Sequence, residues 1–278
     1  MAADAADARF ARLCAWFEAR PRTAIALSGG VDSGLLATAA GRIAPGQALA
    51  LIARSCLLGG RDLAQAHALA GWAGARLQVV DFDPLSLPAV RANEPERCYF
   101  CKRALLEALL AAARGQGLES LADGSHADDQ ASRRPGRKAI EELGVRSPYL
   151  ELGWRKRDLR LTAQALGMPG WDRPSSTCLA TRVPYGQALD PARLERIRLA
   201  EEALEDMGFG QRRVRDHGPL ACLELASDDL QRMGCEPGLR EQVHAALHGL
   251  GWTWVSADLL GFRSGSMDEY LDGGGDAK

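Results

Sequence analysis

Two glycines, two serine hydroxyls and one carboxylate stand together in Leu27-Ser28-Gly29-Gly30-Val31-Asp32-Ser33. Glycines let a backbone approach an anion closely and tolerate positive φ. Successive N–H groups form a nest, and a helix that starts there adds its positive end. The serine hydroxyls can donate further hydrogen bonds, and Asp32 can hold Mg²⁺ or cap the helix. A tight turn would explain a glycine pair, but the whole Ser-Gly-Gly-Val-Asp-Ser string suits a pyrophosphate, as in ATP. Ser28, Gly29, Gly30, Val31, Asp32 and Ser33 are therefore the expected nucleotide-binding set. The string is shorter than the Walker pattern Gly-x-x-x-x-Gly-Lys-Ser/Thr and has no lysine.

Thiols form the second group. Cys98-Tyr99-Phe100-Cys101 is a Cys-x-x-Cys pair set just before a predicted helix. Its spacing admits a redox pair, half a zinc site, part of an iron–sulfur site or two unrelated thiols. A structural zinc site wants four ligands, and Cys14, Cys56, Cys178, Cys222 and Cys235 offer no second Cys-x-x-Cys. A [4Fe–4S] cluster with one open iron needs only three thiolates, and Cys178 is the candidate third. Arg173 and Arg182 flank it in a polar, proline-bearing loop, where they could lower its pKa and attract an anion; a buried loop cysteine is the competing reading. Cys14, Cys56 and Cys222 read as core residues, and Cys235 is uninformative.

Arg213 and Arg215 share one face if residues 212–215 form a strand, and two guanidiniums on one face suit a phosphate or carboxylate. A solvated charged strand fits the same spacing. Asp123-Gly124-Ser125-His126-Ala127-Asp128-Asp129 offers acids that could bind Mg²⁺ or stabilise a turn.

These groups need a scaffold, and the pattern supplies one. Strand-like 23–27 leads into the phosphate loop and helix-like 34–40 leaves it. The apolar run 48–53 suits a strand buried on both faces. A helix over 60–74, a strand over 75–81, a helix over 101–114 and a strand-turn over 118–124 continue the alternation. Alternating strands and helices predict an α/β fold, a parallel sheet flanked by helices, with ligands at the carboxyl ends of its strands. Residues 170–190 read as a long structured loop. Beyond it come a helix over 191–208 with Pro191 at its start, strands at 212–215 and 221–225 around Gly218-Pro219, a helix over 236–250 and a strand at 252–255. The expectation is a nucleotide domain over 1–190, a smaller α+β domain over 191–270 and a disordered tail over 271–278.

Composition narrows the setting. A net charge of −2 gives no broad attraction to nucleic acid, and no run has the apolar length to span a bilayer. Acids occupy the N-terminal positions where a signal peptide carries bases, and an odd count of seven cysteines does not suit a secreted disulfide framework. A cytoplasmic location follows as the expectation.

In order along the chain, the phosphate loop, Glu94-Pro95-Glu96-Arg97-Cys98-Tyr99-Phe100-Cys101-Lys102, the Asp123 segment with Arg134-Pro135-Gly136, Cys178-Leu179-Ala180-Thr181-Arg182-Val183-Pro184-Tyr185-Gly186 and Gly261-Phe262-Arg263-Ser264-Gly265-Ser266-Met267 resemble the LarE family of PP-loop ATP pyrophosphatases. The resemblance implies the adenine nucleotide alpha hydrolase-like fold and homo-oligomers. It implies adenylation by ATP of a carboxylate of pyridinium-3,5-biscarboxylic acid mononucleotide, followed by replacement of oxygen with sulfur for a nickel-pincer cofactor. One branch of the family sacrifices the sulfur of the cysteine matching Cys178. Another holds a [4Fe–4S] cluster on three cysteines, and Cys98, Cys101 and Cys178 match that branch. The resemblance also implies that Arg213 and Arg215 hold the substrate phosphate, and that Cys178 and Asp32 carry the chemistry. Ser132-Arg133 departs from the Asp-Tyr usual before Arg-Pro-Gly. A tRNA-thiolating enzyme, an ATP-sensing module and an amide-forming synthetase are the competing readings. Near-neutral charge opposes the first, and the lack of a glutaminase Cys-His module opposes the last.

Overall fold

A computed structural model describes residues 2–131, 136–173, 177–267 and 269. The expected tail at 271–278, the divergent 132–133 and the 174–176 part of the Cys178 loop lie outside the described residues. The contacts divide into two units, one of Met1–Ser55, Arg61–Pro84 and Cys98–Ser176, the other of Cys56–Gly60, Leu85–Arg97 and Thr177–Lys278.

The first unit is built on four parallel strands, β1 (Thr23–Ala26), β2 (Leu49–Arg54), β3 (Arg76–Asp81) and β4 (Ser120–Ala122), in the order β3-β2-β1-β4. Its helices are α1 (Ala2–Glu18), α2 (Val31–Ile43), α3 (Asp62–Ala73), α5 (Arg97–Gly115, whose first residue falls in the other unit), α6 (Gly136–Glu142), α7 (Pro148–Glu151) and α8 (Lys156–Ala165). The second unit holds α4 (Pro88–Arg91), α9 (Pro191–Asp206), α10 (Ser227–Cys235) and α11 (Leu239–Gly249), with β5 (Arg212–His217), β6 (Leu220–Leu225) and β7 (Trp254–Ala257).

The strands of the first sheet alternate between two cores. On one face Ile25 packs with Leu13, Trp16, Leu35, Leu69 and Leu159, so α1, α2, α3 and α8 cover it. On the other face Ala24, Leu49 and Leu51 pack with Leu106, Leu109 and Ile140 of α5 and α6. Helices on both faces explain the uninterrupted apolar strands. β1 and β2 are joined through α2 on the first face, whereas the chain reaches β4 through α5 on the second. The loops after β1 and β4 therefore diverge at a topological switch point, where such sheets bind ligands. Gly41 lets α2 approach α3, since a Cβ there would collide with the Ala73 carbonyl.

In the second unit β5 and β6 form an antiparallel hairpin around Gly218, and β6 and β7 run parallel, joined through α10 and α11. Buried Leu194, Ile197, Leu204, Val214, Leu223, Val243, Leu247 and Trp252 form its core. One helix is expected over 236–250; the structure has α11 there and a separate α10 before it, whose Leu230 and Met233 are only half-buried.

The expected domain boundary at 190/191 and the packing fall at different residues. Asn93 Nδ2 donates to the carbonyls of Val183 (3.1 Å) and Pro184 (2.9 Å), and the Leu179 N–H donates to the Leu57 carbonyl (3.1 Å). These bonds group 56–60, 85–97 and 177–190 with the second unit. No helix among the described residues is long and apolar enough to cross a membrane.

Candidate functional site

Pairing of the Leu27 N–H with the Leu51 carbonyl (2.8 Å) is the last sheet bond before the phosphate loop turns away. The Ser28 N–H donates to Ser33 Oγ (3.0 Å), which lies 3.1 Å from Ser28 Oγ and donates to the Gly30 carbonyl (3.2 Å). The two serines therefore brace the loop from within. Gly29 has φ +81°, and a Cβ there would stand 2.6 Å from the Asp62 carbonyl oxygen, so both its conformation and its surroundings require glycine. Gly30 is the N-cap of α2, extended and with no side-chain cap hydrogen bond. A helix start without a side-chain cap keeps its first N–H groups for an anion.

Asp32 is not a cap. It lies in the first turn of α2, and both its carboxylate oxygens are 2.6 Å from Lys156 Nζ, a pair formed across 124 residues. Lys156 opens α8, where the Asp128 carboxylate accepts its backbone N–H (2.8 Å) and Asp158 accepts that of Arg155 (3.1 Å). Fully buried Tyr149 stacks on Trp154 and donates its hydroxyl to the Asp32 carbonyl (2.7 Å). Burial, reinforced by Asp32, pushes the Tyr149 pKa well up, so it remains a donor.

The Asp123–Gly124 turn sits beside the loop as expected. A Cβ on Gly124 would lie 3.1 Å from that of Asp32 and 3.3 Å from the Ser33 nitrogen. Asp123 is buried and accepts the hydroxyls of Ser125 (2.6 Å) and Ser147 (2.7 Å), with Lys102 Nζ at 3.8 Å. Asp128 ties down α8, and Asp129 accepts the His126 N–H (3.1 Å). Of the alternatives for these acids, turn stabilisation accounts for the bonds they make.

Cys98 and Cys101 lie within the first turns of α5, which begins at Arg97, rather than before the helix. The difference matters chemically. A spacing of three on a helix puts both thiols on one face, with Cys98 exposed and Cys101 half-buried. Cys178 is exposed in the second unit and precedes a short 3₁₀ turn, Leu179–Arg182. Among the described residues, no three His, Cys, Asp or Glu side chains converge as a metal site would require. Cys14 packs against the first core and Cys222 is half-buried within β6, and burial raises both thiol pKa values, in keeping with core roles.

The arginines of the second unit do more than flank Cys178. Arg182 is 2% exposed and pairs with Glu201 through two bonds of 2.6 and 2.8 Å. Its remaining nitrogen donates to the hydroxyls of Thr177 (2.6 Å) and Thr181 (2.8 Å) and to the Cys178 carbonyl (3.3 Å). Arg182 is thus a clamp that fixes the thiol's backbone, not a cation held for the sulfur. Arg173 belongs to the first unit. Arg215 pairs with Glu224 through bonds of 2.9 and 2.7 Å, donates to Ser266 Oγ (2.8 Å) and binds the Thr181 carbonyl. Arg213 donates to the Arg212 carbonyl (2.6 Å) and lies over the Phe262 ring. A solvated strand is excluded, since Arg213 and Arg215 are 7% and 6% exposed.

The guanidiniums of Arg182, Arg213 and Arg215 lie among the carboxylates of Glu201 and Glu224. Burial, with repulsion from Arg182, drives the Arg213 pKa down to about 10. Burial alone would raise Glu201, yet Arg182 holds it below the usual carboxylate range. A desolvated guanidinium whose charge its surroundings disfavour gains from an anion. Sequence reading missed Lys156, Tyr149, Glu201 and Glu224, none of which lies in a motif.

No family model matches the chain. It is 36% identical to an uncharacterised protein of Synechocystis, with 95% of this chain and 98% of the relative aligned. It is 34% identical to the pyridinium-3,5-bisthiocarboxylic acid mononucleotide synthase of Lactiplantibacillus plantarum over 90% of each chain. An uncharacterised protein of Methanocaldococcus jannaschii is 30% identical over 86% of this chain and 90% of its own length.

Proposed function

The chain belongs to the LarE family of sulfur transferases, and from that membership we propose that it makes a thiocarboxylate on a pyridinium mononucleotide at the expense of ATP. The observation that carries the ATP half is the phosphate loop. Gly29 is at positive φ, the two serines are braced together, and the α2 start has no side-chain cap, all at the sheet's switch point.

In this reading the N–H groups of the 28–33 loop bind the β- and γ-phosphates. The pyridinium carboxylate attacks the α-phosphorus, a P–O bond breaks and pyrophosphate leaves. The product is an acyl adenylate, whose AMP is a good leaving group. Sulfur then bonds to the acyl carbon as the C–O bond to AMP breaks. Asp32 fits Mg²⁺, since that ion needs only one or two carboxylates when substrate phosphates complete its shell; bound there, it would neutralise phosphate charge. The phosphate of the pyridinium nucleotide fits the Arg213–Arg215 cluster, where burial disfavours the Arg213 charge.

For the sulfur source, the donor chemistry is the guide. Cys98 and Cys101 share one helix face, which suits two thiolates on one iron–sulfur cluster, and Cys178 would be the third ligand. Bound by these three, a [4Fe–4S] cluster would supply sulfur in a reduced, nucleophilic form. A second reading is favoured by the Arg182 clamp on an exposed Cys178. There the thiol itself is the donor, and loss of its Cα proton and Cβ–S bond leaves dehydroalanine. Anaerobic purification followed by iron and sulfide analysis separates the two. The cluster reading predicts a brown protein with iron. A colourless, iron-free protein that loses the mass of H₂S at Cys178 on turnover supports the second. The same proposal carries a reducing cytoplasm for the thiols, a nickel-pincer cofactor as the product's destination and a homo-oligomer. The substrate domain corresponds to the β5–β7 unit.

A further inference from the structure

The chain has five histidines, and two of them stand four apart on one helix. Residues three and four apart are neighbours on a helix surface, whereas adjacent ones do not face each other. α11 turns Leu239, Val243 and Leu247 into the core. His244 and His248 each follow a buried residue, so they lie about 100° round the helix from that stripe. Both are exposed. Their imidazoles stack, with ring centroids 5.6 Å apart and planes 22° apart. Stability is a weak reason for this arrangement, since a surface pair of this kind contributes little. The backbone beneath the pair is held. The His248 carbonyl accepts the Gly251 N–H (2.9 Å), and Trp252, 1% exposed, is packed just beyond. A fixed helix keeps the spacing of ligands built on it, so only the side chains need to turn. Bonds of about 2.0–2.1 Å to a tetrahedral metal set two ring nitrogens about 3.4 Å apart. The stacked rings reach that separation by rotation about their own side-chain bonds, out in solvent. Imidazole suits Zn²⁺, Cu²⁺ and Ni²⁺, whereas Mg²⁺ takes oxygen ligands. His248 also lies in the last turn of α11, the negative end of the helix, where a bound cation is favoured.

We propose that His244 and His248 form a chelating site for a borderline divalent cation of the Zn²⁺ class, each giving one imidazole nitrogen, with water at the remaining positions. Among the described residues no third His, Cys, Asp or Glu converges on the pair. The site shares neither residues nor donor type with the Mg²⁺ position at Asp32, and it stands independently of the ATP and sulfur readings. A cation bound there ties successive turns of α11 together, because it binds only when both ligands hold their helical spacing.

The test titrates Zn²⁺ calorimetrically into the full chain with its thiols blocked by iodoacetamide, because exposed cysteines would also take the ion. Circular dichroism first checks that each protein is folded. Wild type should bind one Zn²⁺ tightly. His244→Ala and His248→Ala should each weaken that binding about a hundredfold, since a chelate broken at one end loses its effective concentration. The double variant should do little worse than either. His248→Ala combined with Ala245→His keeps the number of histidines but makes them adjacent, on different faces, and should not restore binding. Zn²⁺ should raise the melting temperature of wild type alone, and a large excess of Mg²⁺ should not displace it. In the unmodified chain, excess Zn²⁺ should shift the imidazole signals of His244 and His248 together in ¹H–¹⁵N spectra. Unchanged affinity in either single variant, recovery by the adjacent pair, displacement by Mg²⁺ or unshifted imidazole signals overturns the proposal. So does a folded wild type with no tight site.

Discussion

At the scale of single residues, burial and partner decide what each substitution does. Asp32 is about a quarter exposed and pairs with one lysine, so Asp32→Ala should keep the fold by circular dichroism while abolishing pyrophosphate release. Unchanged release would remove Asp32 from the site. Arg213 and Arg215 look equivalent in sequence but should behave oppositely. Arg213 carries a charge that its surroundings disfavour, with its pKa down to about 10. Lowering of a cation's pKa on folding means that the charged form costs stability at neutral pH, a cost that fades only as pH rises through the folded value. Arg213→Met, which removes that buried charge, should leave the melting temperature unchanged or raised, yet weaken the phosphate-bearing substrate by about tenfold or more. Arg215→Ala strands the buried Glu224 carboxylate and should cost about 3–5 kcal/mol in chemical denaturation. The reverse order of stabilities would contradict the charge account. The sequence made Asp32, Arg213 and Arg215 visible because their types and spacing are local. Lys156, Tyr149, Glu201 and Glu224 were invisible, because a pair such as Lys156–Asp32 spans 124 residues and leaves no mark in either neighbourhood.

At the scale of elements, the strand-loop-helix unit around Ser28 was legible in full, since apolar strand, glycine turn and helix start are all local signals. Placement of the Cys-x-x-Cys was not. The polar start Arg97-Cys98-Tyr99 carries no apolar stripe, so the helix seemed to begin at Cys101, whereas its first turn includes Cys98. The parallel β6–β7 pairing was not legible either, because strand direction across α10 and α11 is set by packing and not by a local signal. The loop's geometry makes its own prediction. Gly29→Ala and Gly46→Ala both force a side chain to positive φ, at +81° and +70°, but only the first meets backbone within 4 Å. Gly46→Ala should cost about 1 kcal/mol from conformation alone. Gly29→Ala should cost more in thermal or chemical denaturation and also weaken nucleotide binding, because the loop must shift away from Asp62. Equal effects of the two on nucleotide affinity would show that the loop's shape is not what binds.

At the scale of the molecule, the α/β class and the parallel sheet followed from the alternation of elements. The grouping of 56–60, 85–97 and 177–190 with the second unit did not, because it depends on Asn93 and Leu57 bonding far along the chain. The net charge of −2 and an arginine cluster enclosed rather than spread over a surface suit a small anionic substrate better than RNA. Purified protein should accordingly carry no tRNA, measured as the ratio of absorbance at the nucleic-acid and protein bands; co-purifying tRNA would favour the thiolating reading. The central claim is sulfur transfer driven by adenylation, and one experiment meets it directly. Anaerobically purified protein is incubated with MgATP and pyridinium-3,5-biscarboxylic acid mononucleotide, and AMP, pyrophosphate and the nucleotide product are quantified together by mass spectrometry. The account predicts AMP and pyrophosphate in equal amounts, each matched by one carboxylate oxygen replaced with sulfur, and none of the three without the pyridinium substrate. AMP and pyrophosphate formed with no sulfur incorporated, or ADP in their place, would contradict it.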